Sequence, residues 1–156
     1  GLLVQKAVGA RSLGGLAGKK IAVIAGTTTQ KALEAALKKQ LVSATVVPVK
    51  NRDEAVAALE AGTVDAFSSD RILLLGMAGK VKDPTQFELL ADDLSFEPYA
   101  IALPRGDSGF RLAVNRGLAQ VYQSEAIQEI FRRAFGASAV PPTGLLVMYG
   151  LGSYAE

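Results

Sequence analysis

The sequence contains neither cysteine nor histidine. That excludes zinc sites of the usual thiolate and imidazole kind, a cysteine nucleophile and a serine–histidine pair. Any catalysis would have to rest on carboxylates, lysine or tyrosine, which argues against an enzyme. The lack of cysteine is also compatible with an oxidising compartment. Neither sign of charge dominates: 17 Lys and Arg stand against 15 Asp and Glu, a net +2. So small and scattered an excess does not mark a nucleic-acid surface. No apolar run approaches the roughly 18 residues that a membrane span needs, the longest being near Ile72–Leu75 and Leu145–Val147. No charged stretch leading into an apolar one marks a secretion signal, and Gly1 in place of a methionine reads as a mature or trimmed start.

What is present is enough apolar material for a real core. The 156 residues are 49% hydrophobic and 21% charged, which fits one ordinary domain or two small lobes. Strand and helix patterns alternate along the first two thirds. Leu2–Lys6 is a short extended segment, and Lys20–Ala25 is a near-continuous apolar strand of the kind covered on both faces. Residues 28–41 carry Ala32, Leu33, Ala36, Leu37 and Leu41 on one helical stripe. Ala44–Val49 is a second strand. Asn51 with Glu54 three residues on predicts a capped helix closed by Gly62. Val64–Phe67, a helix from about Asp70, and strands over Phe87–Leu90 and Tyr99–Leu103 complete the series. The implied fold class is α/β, a mainly parallel sheet with helices on both faces. From Asp107 two amphipathic helices follow, one lined by Phe110, Val114, Leu118 and Val121, the other by Ile127, Ile130, Phe131 and Phe135, with Ser124 a cap between them. The tail from Val140 is expected to be extended. The division falls near Pro104: residues 1–104 form an α/β lobe and 105–156 a helical appendage with its tail.

In open parallel sheets ligands sit at the carboxyl ends of strands. Three such ends carry polar residues: Gly26-Thr27-Thr28-Thr29, Lys50-Asn51-Arg52 and Ser68-Ser69-Asp70. Together they offer helix amides and hydroxyls for one anion, an arginine for a second, and a carboxylate for a cation. That set suits a zwitterion with a polar or acidic side chain. Each piece also has a plainer reading. Thr27 and Thr28 fit a helix cap, Asp70 fits the cap of its own helix, and Arg52 fits a solvated side chain. The phosphate readings fare poorly, because the turn at Gly26 has neither the second glycine and lysine of a P-loop nor the three glycines of a dinucleotide turn.

The stretches SLGGLAGKKIAVIAGTTTQKAL, NRDEAVAALEAGTVDAFSSDRILL, EPYAIALPRGDSGFRLAVNRGLAQV and AIQEIFRRAFG resemble the family 3 extracellular solute-binding proteins, the periplasmic amino-acid receptors of ABC importers. The tail VPPTGLLVMYG resembles the glutamate/aspartate-binding branch. The resemblance implies the small lobe of a type II periplasmic binding protein, followed by C-terminal helices of a large lobe whose upstream segment, with its carboxylate-clamping arginine, precedes the part seen here. It implies a receptor, not an enzyme, with no cofactor and no metal. Its partners would be an amino acid such as glutamate or aspartate and the permease subunits in the membrane, and its location periplasmic. On that resemblance Gly26, Thr27 and Thr28 bind a ligand carboxylate, Asp70 the α-ammonium, Arg52 a side-chain carboxylate, and Ser69 lines the cleft. Segments 1–6 and 99–104 correspond to hinge strands. With the large lobe's sheet absent, the apolar stripes of the helices lack their usual cover, which predicts a homo-oligomer or strand-exchanged dimer. The competing possibilities are such a self-associating form without ligand and a small phosphate-handling enzyme.

Overall fold

In a computed structural model of the chain, the apolar run at Lys20–Ile24 is the inner strand of a five-stranded sheet. The structure describes residues 1–78, 81–95, 100–136, 140–141 and 143–154. They fall into two units, Gly1–Glu97 and Pro98–Glu156.

The first unit holds strands β1 (Leu2–Gln5), β2 (Lys20–Ile24), β3 (Thr45–Val49), β4 (Ala66–Ser68) and β5 (Phe87–Leu89), in the order β3-β2-β4-β1-β5. Its helices are α1 (Thr28–Lys39), α2 (Arg52–Glu60) and α3 (Arg71–Ala78). β2 pairs in parallel with both β3 and β4, whereas β1 is antiparallel to both β4 and β5. The sheet is therefore mixed. Its parallel part follows from the βαβ alternation; β1 lies before the first crossover, so no crossover fixes its direction.

The crossovers explain why both faces are covered. From β2 the chain moves to β3 on one side, then returns past β2 to β4 on the other. Right-handed connections running in opposite directions must pass over opposite faces. Accordingly Leu33 and Leu37 of α1 pack with Ile21, Val23, Leu2, Val4 and Ala66. Ala55 and Leu59 of α2 and Leu74 of α3 pack on the other face with Ala22, Leu3 and Phe67. Ile21, Ala22 and Val23 are all completely buried, as two-sided cover of a parallel strand requires. A short 3₁₀ turn, Leu13–Leu16, adds two buried leucines to the α1 face.

The second unit holds α4 (Ser108–Gln123), α5 (Ala126–Phe135) and α6 (Thr143–Gly152). Three expectations are corrected here. The tail is helical over Thr143–Gly152 rather than extended, because α4 offers it a partner: the rings of Tyr122 and Tyr149 stack with centroids 5.0 Å apart. In the first unit α1 ends at Lys39, so Leu41, 91% exposed, leaves the expected apolar stripe; Ser124 does stand as a cap between the two helices, closing α4 with its hydroxyl donating to the Val121 carbonyl at 2.9 Å. The strand expected over Tyr99–Leu103 does not form in its described part: residues 100–104 have no regular structure, and Tyr99 lies outside the described residues. A strand needs ladder partners to be stable. No helix among the described residues is long and apolar enough to cross a membrane.

Candidate functional site

Because β2 leads into a helix on one face and β3 into a helix on the other, the connections part company beyond their carboxyl ends. Open sheets bind ligands at such a switch point. β4 runs parallel to β2, so its end leaves the sheet at the same edge. A cavity of about 100 Å³ opens there, lined by Ile24, Thr27, Thr29, Arg52, Ser68, Ser69, Asp70 and Leu73. It gathers Thr27, Arg52, Ser69 and Asp70 from three separate strand ends. Gly26 and Thr28 stand beside it without lining it.

The turn at β2 is held from within. Gly26 has φ +74°, a left-handed conformation that suits glycine. Thr27 is the N-cap of α1: its hydroxyl donates to the Ile24 carbonyl at 2.8 Å and accepts from the Gln30 amide at 3.2 Å. Gln30 closes the loop, its Oε1 accepting from the Gly26 amide at 2.8 Å. A hydroxyl has one proton to give, and Thr27 gives it to the turn. The capping reading of Thr27 therefore holds. Any hold on an anion at this turn falls to backbone amides of the first helical turn, which lack intrahelical acceptors, and to the half-buried Thr29.

The α2 end repeats this arrangement. Asn51 Oδ1 accepts from the Glu54 amide at 2.9 Å, and Glu54 Oε2 accepts from the Lys50 amide at 2.8 Å. This is the expected cap, with the glutamate reaching one residue further back than in the usual box. It fixes Arg52 as the first residue of α2, exposed and lining the cavity. A cation in a first turn opposes the helix dipole, and among the described residues Arg52 makes no ion pair.

At the β4 end, Ser68 is fully buried and Ser69 is 7% exposed. Asp70 is half-buried, and its carbonyl accepts from the Leu74 amide at 3.0 Å, which places it at the start of α3. Thr29 and Ser68, named among the polar strand ends but given no ligand contact, also line it. Ile24 and Leu73 complete the lining and read from sequence only as core. No group of acidic side chains among the described residues is arranged to hold a metal ion.

No protein-family model matches the chain. Over 144 residues it is 29% identical to the L-glutamate/L-aspartate-binding protein of Pseudomonas aeruginosa, covering 92% of this chain and 47% of that protein. Among solved structures it resembles an ABC transporter/periplasmic binding protein from Brucella ovis with glutathione bound, at a TM-score of 0.71 and 24% identity, covering 96% of this chain and 51% of the other. It also resembles the GluR0 ligand-binding core of Nostoc punctiforme in complex with L-glutamate, at a TM-score of 0.62 and 28% identity, covering 86% and 59% respectively. The chain spans about half the length of the curated relatives it matches. Its homologues are glutamate/aspartate-binding and other polar amino-acid solute-binding proteins of ABC importers, of the family 3 type, and it carries part of their type II periplasmic binding-protein fold.

Proposed function

We propose that the first unit supplies one side of an amino-acid site, and that the whole protein captures an acidic or polar amino acid outside the cytoplasm for an ABC permease. Asp70 pairs with the α-ammonium and Arg52 with a side-chain carboxylate. The Gly26-Thr27-Thr28 turn presents the first-turn amides of α1 to the α-carboxylate, the Gly26 amide itself being held by Gln30, and Ser69 contributes a further polar contact. Function is binding and lobe closure, with no reaction catalysed. What supports this reading is the convergence of Thr27, Arg52, Ser69 and Asp70 on one small cavity at the switch point. The wider comparison supports the ligand class, since the relatives are named for glutamate and aspartate.

The test is a two-dimensional NMR titration of the chain with L-glutamate, L-aspartate and L-glutamine, a method that registers millimolar binding. The amides of residues 26–30, 50–53 and 68–71 should shift, and Asp70→Ala should abolish the response. Undiminished shifts in Asp70→Ala would return Asp70 to a helix-capping role, and a silent wild type would remove the reading altogether. A second reading, self-association, is favoured by one observation: Leu146, Val147, Met148 and Leu151 of α6 are between 38% and 65% exposed.

A further inference from the structure

Ser68 carries the feature that the site leaves unexplained. It ends β4, where its backbone is paired with Leu2 of β1 and Val23 of β2. Successive strand residues face opposite ways, so Ser68 points to the same face as Ala66, which packs against Leu2, Ile21, Val23 and Leu33. Its hydroxyl thus sits at the open end of an apolar layer. The residue is fully buried, and among the described residues its Oγ has no hydrogen-bond partner. Buried polar groups are almost always bonded, and leaving one unbonded is costly. Ser68 also lines the switch-point cavity.

The geometry points to Ser68 as a specificity-determining contact: its hydroxyl is completed by a polar atom of the bound ligand, and it selects against ligands that bring hydrocarbon there. This rests on the proposal that the cavity receives an amino acid. The surroundings define the chemistry. Arg52 is a cation and Asp70 an anion, while Thr29 and Ser69 bring hydroxyls; the Thr27 hydroxyl is spent within its own turn. Ile24 and Leu73 add apolar wall but no donor or acceptor side chain. A hydroxyl is both donor and acceptor, so Ser68 accepts a carboxylate or a carboxamide equally well and discriminates little between them. What it rejects is an aliphatic chain of the same length, because the buried hydroxyl would then stay unpaired beneath it. Sites that bury a polar group for a polar ligand reject the analogue lacking it far more strongly than hydrophobic pockets reject each other's ligands. Arg52, by contrast, distinguishes the charge of that ligand group, so the two residues divide the selection between them.

The experiment compares wild type with Ser68→Ala in titrations with L-glutamate, L-glutamine and L-norvaline, together with thermal melts of both proteins. Ser68→Ala should weaken L-glutamate and L-glutamine alike, by roughly 10-fold, and leave L-norvaline equal or improved. Its melting temperature should stay level or rise, since the variant loses a buried hydroxyl that has no partner among the described residues. Unchanged affinity for L-glutamate and L-glutamine would overturn the assignment while leaving the proposed amino-acid site intact. A melting temperature lowered by several degrees would show that the hydroxyl serves the fold, and would overturn it too. A wild type that responds to none of the three ligands would overturn both this assignment and the reading on which it rests.

Discussion

Arg71 Nε donates to the Asp93 carboxylate at 2.7 Å, and Arg71 Nη2 donates to the carbonyls of Leu90 and Ala91 at 2.8 Å each. The first residue of α3 is thereby tied to the segment that follows β5. That segment is held again from the other side, where the Leu13 amide donates to the Asp92 carboxylate and the Leu90 amide to the Leu2 carbonyl. Asp70 immediately precedes Arg71, so the clamp also anchors the backbone from which the Asp70 side chain departs.

Arg71→Ala removes these bonds from a side chain that is 23% exposed. Hydrogen bonds made by charged groups contribute about 1.5–3 kcal/mol, and in a unit of this size each kcal/mol moves the midpoint by about 4–8 °C. The expected fall is therefore about 6–24 °C in a thermal melt. Arg71→Lys should recover only part of it, because an ammonium cannot reproduce the planar fork. Asp93→Asn should cost less, since the Asp93 side chain is 65% exposed and shares in only one of the bonds. A melt of Arg71→Ala indistinguishable from wild type would show that the clamp contributes nothing.

Arg52 behaves differently because no ion pair among the described residues uses its charge. It stands exposed in the first turn of α2, opposed to the helix dipole and without an ion pair among the described residues. Arg52→Gln should leave the melting temperature level or slightly raised. In titration it should weaken L-glutamate at least 10-fold more than L-glutamine, the scale on which a lost charge-assisted bond registers. Equal losses for the two ligands would exclude a contact with the side-chain carboxylate.

The parts of this fold that local chemistry determines were legible in the sequence. The uninterrupted apolar residues of β2, the stripe of α1 and the Asn51–Glu54 cap each declare themselves within a dozen residues, and the structure has them, except that Leu41 lies beyond the end of α1 and is 91% exposed. Gln30 was equally legible, since Thr27-Thr28-Thr29-Gln30 has the capping spacing, but the threonines drew attention as an anion grip. What could not be read depends on distant partners. The direction of β1 is set by β4 and β5, far along the chain. The helical state of Thr143–Gly152 depends on a stack against Tyr122. Of the site, the convergence of three strand ends follows from the βαβ order alone. The unpartnered hydroxyl of Ser68 appears only once the strand register is known.

The second unit leaves the apolar side of α6 uncovered. Val147 and Leu151, four residues apart and so on one face of the helix, are 56% and 65% exposed. Apolar surface of this kind, continuous along a helix, drives association. The chain should elute as a concentration-dependent species above the monomer mass when followed by light scattering. The pair Val147→Glu and Leu151→Lys should return it to a monomer without lowering the melting temperature. Both side chains already face solvent, and Glu four residues before Lys adds a favourable pair on the helix surface. A wild type that stays monomeric at hundreds of micromolar would remove self-association as a role for this face. A double variant that still associates would move the contact elsewhere on the unit, where Ile101, Phe110 and Ile130 are also exposed.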